Sequence, residues 1–228
     1  MKVISWNIRG INGITKHRLL KRRLQQEKPS IIMLQETKCN SSTIETLMSR
    51  IWRGSRSIAV DTAGASGGLV ISWNPNEILL SDFMENINFI SASFQLLGTS
   101  LHGLLSNVYG SQAKDQKSCF LDFLEGFSKE IINIPWILGR DFNLITSLQE
   151  RKGGRRALTQ EDCRFKNFIE NAELVDLETT NGLYIWNNKR AGLAQIASRL
   201  DHFLVSEDIA MVRGNLQVWI LFVIGSDH

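Results

Sequence analysis

Asn7, Glu36, Tyr109, Asp141, Asn143, Asp201, Asp227 and His228 make up an oxygen-rich set of side chains with a single imidazole. Such a set suits a hard cation, Mg²⁺ or Mn²⁺, which takes one or two carboxylates, keeps several waters and binds substrate phosphates. It does not suit zinc, because Cys39, Cys119 and Cys163 are scattered along the chain and one His alone joins the set. A hard cation beside a carboxylate and an imidazole is equipment for metal-assisted hydrolysis of a phosphoester. The cation polarises a phosphoryl oxygen, and a positioned base activates water.

The elements that must position these groups are apolar runs, each ending in one of them. Asn7 follows Lys2–Trp6, Glu36 follows Ile31–Gln35, and Tyr109 ends Leu104–Val108. Asp141 and Asn143 follow Ile134–Leu138, and Ser226-Asp227-His228 follows the most apolar run of all, Val218–Ile224. In one sheet protein these strand ends are expected to cluster at one rim. Taken singly each has a bland reading: a Glu after a buried strand is usually a solvated acid. Asp201 is less bland, because it lies in the apolar Leu200–Val205 and a buried carboxylate needs a partner, either the local Arg199 or a distant His. His17 and His102 read as exposed helix and strand positions.

Apolar spacing supplies the rest of the framework. Strands are expected at Lys2–Ile8, Ile31–Leu34, Ile134–Leu138, Leu183–Trp186, Leu200–Val205 and Val218–Ile224. Ser57–Asp61 with Gly68–Trp73, and Ile87–Leu97 with Leu101–Tyr109, read as hairpins around turn-prone segments. Helices are expected at Lys16–Gln26, stopped by Pro29, and at Ser42–Trp52, Lys117–Ile132 and Thr159–Ala172. Ser41 or Ser42 is the expected cap of the second helix, with a Ser42–Glu45 capping box; Thr159 with Asp162 is the expected box of the fourth. Hairpins in the middle with β-α alternation at both ends predict two packed sheets with helices outside, in a single domain over 1–228.

Composition narrows the class. The chain has 228 residues, 43% hydrophobic and 21% charged, with a net charge of +3, so its overall balance points to no polyanion. Its clusters do: Lys16, Arg18, Lys21, Arg22, Arg23 and Lys28, and then Arg151, Lys152, Arg155 and Arg156, are placed to neutralise phosphates. A solvated helix face and a solvated loop are the alternatives. Three dispersed cysteines argue for a reducing compartment. The N-terminus lacks an apolar signal region, and Val218–Ile224 is shorter than the roughly 20 residues of a membrane span. The expectation is a soluble, intracellular monomer, nuclear if it acts on DNA, with no identifiable protein partner.

Six segments in order carry a resemblance: Ser5-Trp6-Asn7-Ile8-Arg9-Gly10, Leu34-Gln35-Glu36-Thr37, Asn107-Val108-Tyr109-Gly110, Gly139-Arg140-Asp141-Phe142-Asn143, Arg199-Leu200-Asp201-His202-Phe203-Leu204-Val205-Ser206 and Ser226-Asp227-His228. The chain resembles the endonuclease/exonuclease/phosphatase superfamily, whose fold is like that of pancreatic deoxyribonuclease. Within it, the likeness is to the apurinic-endonuclease-like domain of plant LINE-type retrotransposon polyproteins. The resemblance implies a four-layer α/β/β/α sandwich and Mg²⁺-dependent (or Mn²⁺-dependent) cleavage of DNA. It implies Glu36 as principal metal ligand with Asp227 beside it, and Asn7 orienting the metal site and Asp141 through hydrogen bonds. Asp141 would act on the attacking water or the leaving oxygen, and Asn143 and Tyr109 would hold the phosphate. His228, oriented by Asp201, would stabilise the transition state. Arg9, Arg151, Lys152, Arg155 and Arg156 would contact the DNA backbone.

Several positions depart from the family pattern. Arg140 stands where relatives almost always have Gly, and would crowd the site or pair with Asp141. Arg9, Gln112 and Ile185 differ from one or another branch, and relatives continue past the terminal His. A weakened or inactive retrotransposon fragment is therefore the main alternative to an active endonuclease. A phosphatase on the same fold is a third reading, disfavoured by the nuclease-like Arg199–Ser206 run.

Overall fold

A computed structural model of the chain describes residues 1–63, 66–212 and 216–221. The chain divides into two compact units, Met1–Tyr109 and Gly110–His228.

The first unit contains β1 (Val3–Asn7), α1 (Ile14–Glu27), β2 (Ile31–Gln35), α2 (Ser41–Ile51), β3 (Arg56–Ala63), β4 (Ser66–Trp73), β5 (Ile78–Asn86), β6 (Phe89–Leu96) and β7 (His102–Tyr109). Four strands form a sheet in the order β1-β2-β4-β3, parallel at β1/β2 and antiparallel beyond. All five residues of β2 are buried, as expected of an uninterrupted apolar run covered on both faces. The ladder β5-β6-β7 is antiparallel. Asn107 of β7 ties it to the first sheet: its Nδ2 donates to the carbonyls of Leu34 (3.1 Å) and Val70 (3.0 Å), and its Oδ1 accepts from Gln35 Nε2 (2.6 Å). Both amide side chains are fully buried. Pairing the donors inside the layer offsets their desolvation and fixes the sheets in one register, while Gln35 Oε1 stays buried without a partner among the described residues.

The second unit contains α3 (Lys114–Glu130), β8 (Trp136–Asp141), β9 (Arg151–Lys152), α4 (Gln160–Asn171), β10 (Leu174–Asp176), β11 (Trp186–Asn187), β12 (Ala197–Ser198), β13 (Asp201–Ser206) and α5 (Glu207–Val212). Strands β10-β13-β8 are antiparallel, and β11-β12-β9 make a small separate ladder. An aromatic core holds the helices on the strands: Phe127 and Phe168 each meet Trp136 edge-on, with centroids 5.5 and 6.3 Å away. The Thr159–Asp162 capping box forms as expected and starts α4.

The structure corrects several sequence expectations. Strand β5 was not anticipated. It begins with alternating burial at Ile78 and Leu80, then breaks at a register shift between Ser81 and Met84 and exposes Phe83 and Met84, so no clean period survives in the sequence. The Ser42–Glu45 box does not cap α2. The N-cap is Asn40, without a side-chain cap bond, and Asp61 of β3 accepts from the Ser41 amide (2.6 Å) instead. That backbone hydrogen bond holds the Asp61 carboxyl below the usual carboxylate range. The strand expected at Leu183–Trp186 is confined to Trp186–Asn187. The strand expected at Val218–Ile224 is reduced, in its described part, to one bridge from Val218 to Thr179, with Trp219 58% exposed. There the backbone of Val218 and Ile220 bonds to Thr180 and Asn181 of a turn rather than to a neighbouring strand. An apolar run alone does not specify a strand.

Candidate functional site

In the first unit the parallel pairing of β1 and β2 brings Asn7 opposite Gln35, and the chain keeps pairing past both strand ends. The amides of Ile8, Gly10 and Ile11 donate to the carbonyls of Gln35, Glu36 and Thr37, at 3.0, 2.6 and 2.9 Å. Within this seam Asn7 Nδ2 donates to Glu36 Oε1 (2.8 Å), and Asn7 Oδ1 accepts from the Arg9 amide (3.3 Å). The amide is thereby fixed with its donor towards the carboxylate. Three non-glycine residues here, Arg9, Glu36 and Lys38, have φ of 48°, 51° and 54°. Left-handed backbone at non-glycine residues costs energy and concentrates where a site over-determines the geometry.

Gly68 of β4 holds the far side of that loop. Its carbonyl accepts from the Thr37 amide (3.1 Å), and a Cβ there would sit 2.3 Å from Thr37 Oγ1 at a φ of +86°. Gly68→Ala is expected to displace the Glu36 loop and to cost more stability than the roughly 1 kcal/mol of a typical point mutation. Urea unfolding measures it, and an unchanged midpoint would show the loop to be slack.

Cations surround Glu36. Lys38 Nζ lies 3.8 Å from Glu36 Oε2, and Lys16 Nζ donates to the carbonyls of Ile8 and Arg9. Burial, then the neighbouring Lys38 and Arg9, push the Lys16 ammonium below the ordinary lysine range, against a smaller opposing pull from Glu36. Lys16, expected among surface cations, is thus partly drawn into the loop. The Glu36 carboxylate, with one oxygen held by an amide, is a donor of the kind Mg²⁺ or Mn²⁺ takes when it keeps most of its waters, and an ion there would displace Lys38 from it. Tyr109 is the last residue of β7, half-buried, with its backbone held by Asn88.

In the second unit Asp141 ends β8 and is 1% exposed. The β8/β13 register places it directly opposite Asp201, itself buried. The register thus brings two carboxylates to opposed positions at the end of one ladder. The turn after Asp141 is tightly held. Asp141 Oδ1 accepts from the Asn143 amide (3.2 Å), Asn143 Nδ2 donates to the Gly110 carbonyl (2.6 Å), and Lys117 Nζ donates to the Asn143 carbonyl (2.7 Å). Phe142, fully buried, anchors the turn against Phe165 with centroids 4.7 Å apart. Gly110 is required here, because a Cβ would lie 2.3 Å from the Phe142 carbonyl oxygen. Burial pushes the Lys117 ammonium below its ordinary range, partly offset by Asp162 and Glu161.

Of the other expected site residues, Lys152, Arg155 and Arg156 are exposed, while Arg151 is half-buried and donates from Nε to Ser198 Oγ (3.4 Å). Asp227 and His228 lie outside the described residues. Arg140 is placed by its backbone, which lies opposite His202 in the β8/β13 register. Arg199 is not the partner of Asp201 but serves two other acids. Its Nη1 donates to Glu150 Oε1 (2.6 Å) and Asp176 Oδ2 (2.8 Å), and its Nη2 to Asp176 Oδ1 (2.6 Å) and the Leu177 carbonyl (2.9 Å).

Glu150, Asp176 and His202 offer ligand atoms within 4.8 Å of one another, a grouping that could hold a metal. The chemistry of the set argues otherwise. The Arg199 guanidinium already supplies the cation to both carboxylates. Both ring nitrogens of His202 face acceptors, Asp176 Oδ2 (2.9 Å) and the Leu144 carbonyl (3.0 Å), so neither lone pair is free for an ion. Sequence reasoning missed this cluster. The partners of Arg199 and His202 are 22 to 58 residues away, and the one local signal was a charged Arg199 beside an apolar strand.

Known proteins share the family and the fold of this chain. Residues 4–228 match the Endonuclease/Exonuclease/phosphatase family. No curated protein matches the sequence. Among solved structures, the 3′ phosphatase NExo from Neisseria, bound to a product DNA hairpin, is 18% identical with a TM-score of 0.71, over 92% of this chain and 88% of that one. An AP endonuclease from Archaeoglobus fulgidus is 16% identical with a TM-score of 0.69, over 92% and 88%. The endonuclease domain of TRAS1, a telomere-specific non-LTR retrotransposon, is 15% identical with a TM-score of 0.67, over 92% and 86%. At these identities the likeness shows the fold, the α/β sandwich of deoxyribonuclease type expected from the sequence. No helix among the described residues is long and apolar enough to cross a membrane. The match over nearly the whole chain settles the kinship: this protein belongs to the endonuclease/exonuclease/phosphatase family.

Proposed function

We propose that this chain is a divalent-metal-dependent endonuclease that hydrolyses phosphodiester bonds in DNA, and that it is the endonuclease part of a LINE-type retrotransposon of plant type. The observation that carries this reading is the Asn7–Glu36 pair, a carboxylate oriented by a fixed amide on strained backbone at two strand ends. Glu36 would hold Mg²⁺ or Mn²⁺, with Asp227 as second ligand. The bound cation would polarise the phosphate and offset the charge that develops on it. Asn7 orients the Glu36 carboxylate. Asp141 takes a proton from the attacking water or stabilises the leaving oxygen, Asn143 and Tyr109 hold the phosphate, and Asp201 orients His228. A strained, dipole-rich turn is suited to such work because its groups need no reorganisation during the reaction.

Duplex DNA is the proposed partner, held by Arg9, Arg151, Lys152, Arg155 and Arg156. Because Arg151 is tethered to Ser198, the exposed Lys152, Arg155 and Arg156 carry most of the phosphate binding. Replacing these three by Ala is expected to flatten the log–log dependence of affinity on salt by about 0.9 for each phosphate that is no longer neutralised. An unchanged slope in a fluorescence-anisotropy titration would remove the loop from the interface.

Arg140 bears on the alternative of a weakened retrotransposon fragment. It occupies the residue before Asp141, where relatives keep Gly. Arg140→Gly is expected to raise the nicking rate by about tenfold, equivalent to about 1.4 kcal/mol of barrier. No gain in this chain, or in one extended beyond His228, would acquit Arg140. The phosphatase reading is separated by product: supplying supercoiled plasmid and phosphate monoesters in parallel distinguishes strand cleavage from release of inorganic phosphate.

A further inference from the structure

Four charged side chains in the second unit, Glu150, Asp176, Arg199 and His202, have no part in the proposed chemistry, and three of them are 5% exposed or less. Burying charge is expensive unless every group is paired, and here the pairing runs into the catalytic turn. His202 Nε2 meets the carbonyl of Leu144, the residue directly after Asn143. Glu150 Oε2 accepts from the amide of Thr146 (2.6 Å), and the Glu150 carbonyl accepts from the Arg199 amide (2.9 Å). Arg199 and His202 lie on either side of Asp201, whose strand pairs with Asp141. Removing the cluster would therefore release both the turn carrying Asp141 and Asn143 and the start of the strand carrying Asp201.

We propose that Glu150, Asp176, Arg199 and His202 form a positioning device for the catalytic turn, latched by a doubly protonated His202; the inference rests on the endonuclease reading for its effect on rate. Each ring nitrogen of His202 faces an acceptor, so both must donate, and the ring is an imidazolium. On β8 the register position opposite it belongs to Arg140. Asp176 on β10 supplies the counter-charge, Glu150 adds a second, more distant one, and Arg199 opposes. From α4 and the turn itself come only rings, Phe165 and Phe142, with centroids 5.2 and 5.9 Å away. Burial by itself would push the imidazole down, but its bond and charge pairing with Asp176 outweigh this and raise it above the ordinary histidine value. The acids and Arg199 sum to a near-neutral cluster only while His202 keeps its proton.

The test uses the full chain and an Asp176→Asn variant. Nuclear magnetic resonance of the His202 ring should show a doubly protonated imidazole at neutral pH in the wild type, and titration at lower pH in the variant. The exchange rate of the Thr146 amide should rise in the variant while that of Ile145, held separately by Asp162 Oδ1 (3.1 Å), stays protected. With plasmid DNA and Mg²⁺, kcat should fall about 10- to 100-fold at neutral pH with little change in KM, the range typical of removing a hydrogen-bonded support from behind a functional group. The alkaline limb of the kcat profile should move with the ring. A neutral wild-type ring, or equal exchange at Thr146 in both proteins, overturns the proposal. So does an active variant whose kcat profile superimposes on the wild type's. If neither protein nicks DNA, the endonuclease reading fails on its own, and the ring titration and amide exchange still decide whether the latch exists.

Discussion

Glu36→Gln is expected to reduce metal-dependent nicking by about 100- to 1000-fold, the usual cost of removing one electrostatic partner of a transition state. The substitution keeps the shape of the side chain and an oxygen that can still accept from Asn7 Nδ2. It also leaves the backbone bonds of the Ile8–Ile11 and Gln35–Thr37 seam untouched. What it removes is the negative charge, and with it the attraction for a divalent cation among Lys16, Lys38 and Arg9. The loss should therefore appear in kcat and in the Mg²⁺ concentration needed, while thermal unfolding stays within about 0.5 kcal/mol of the wild type. Excess Mg²⁺ or Mn²⁺ should recover part of the rate. A variant that nicks at the wild-type rate would show that Glu36 holds no metal.

Arg199→Met is expected to destabilise the second unit by about 3–5 kcal/mol, because it leaves Glu150 and Asp176 as buried carboxylates without their cation. Arg199 contacts both at 2.6 Å, and its guanidinium is held in turn by the Leu177 carbonyl. Burial by itself would raise the Asp176 carboxyl, but bonds and charge from His202 and Arg199 outweigh it and hold it below the usual range. The sign of the pH dependence follows. The depressed Asp176 contributes stability present above its unfolded value and lost as pH falls through its folded value. The raised His202 contributes stability complete below its ordinary 6.5 and lost as pH climbs through its elevated folded value. Stability from the cluster should thus be greatest between these limits, and the Arg199→Met deficit should shrink in acid as the carboxylates protonate. Urea unfolding across pH measures this. A deficit under about 1 kcal/mol throughout, the size of a typical point mutation, would mean that solvent reaches both acids.

Much of the fold was legible because local rules and tertiary demands agree at the decisive places. The uninterrupted apolar Ile31–Leu34 is a buried strand, the Thr159–Asp162 box starts its helix, and Asn7 and Glu36 end adjacent parallel strands. Illegible parts depend on partners distant in sequence. Asp61, twenty residues from Ser41, displaced the expected Ser42 cap. Arg199 left its neighbour Asp201 for Asp176 and Glu150, and Asn107, read only as part of a motif, proved to be the buried clasp between strands. Strand β5 escaped notice because its bulge and exposed Phe83 erase the alternation on which strand recognition relies. For the site, residue types and strand ends were readable, whereas the left-handed backbone of Glu36 and the opposition of Asp141 to Asp201 are properties of register.

The most direct test of the central claim is conversion of supercoiled plasmid to the nicked form by the purified protein. It should be run with Mg²⁺, with chelator, and with Glu36→Gln and Asp141→Asn. The account predicts nicking in Mg²⁺ that chelator abolishes and that each substitution lowers by about 100-fold or more. Nicking that persists in chelator, or that both variants retain, would contradict it.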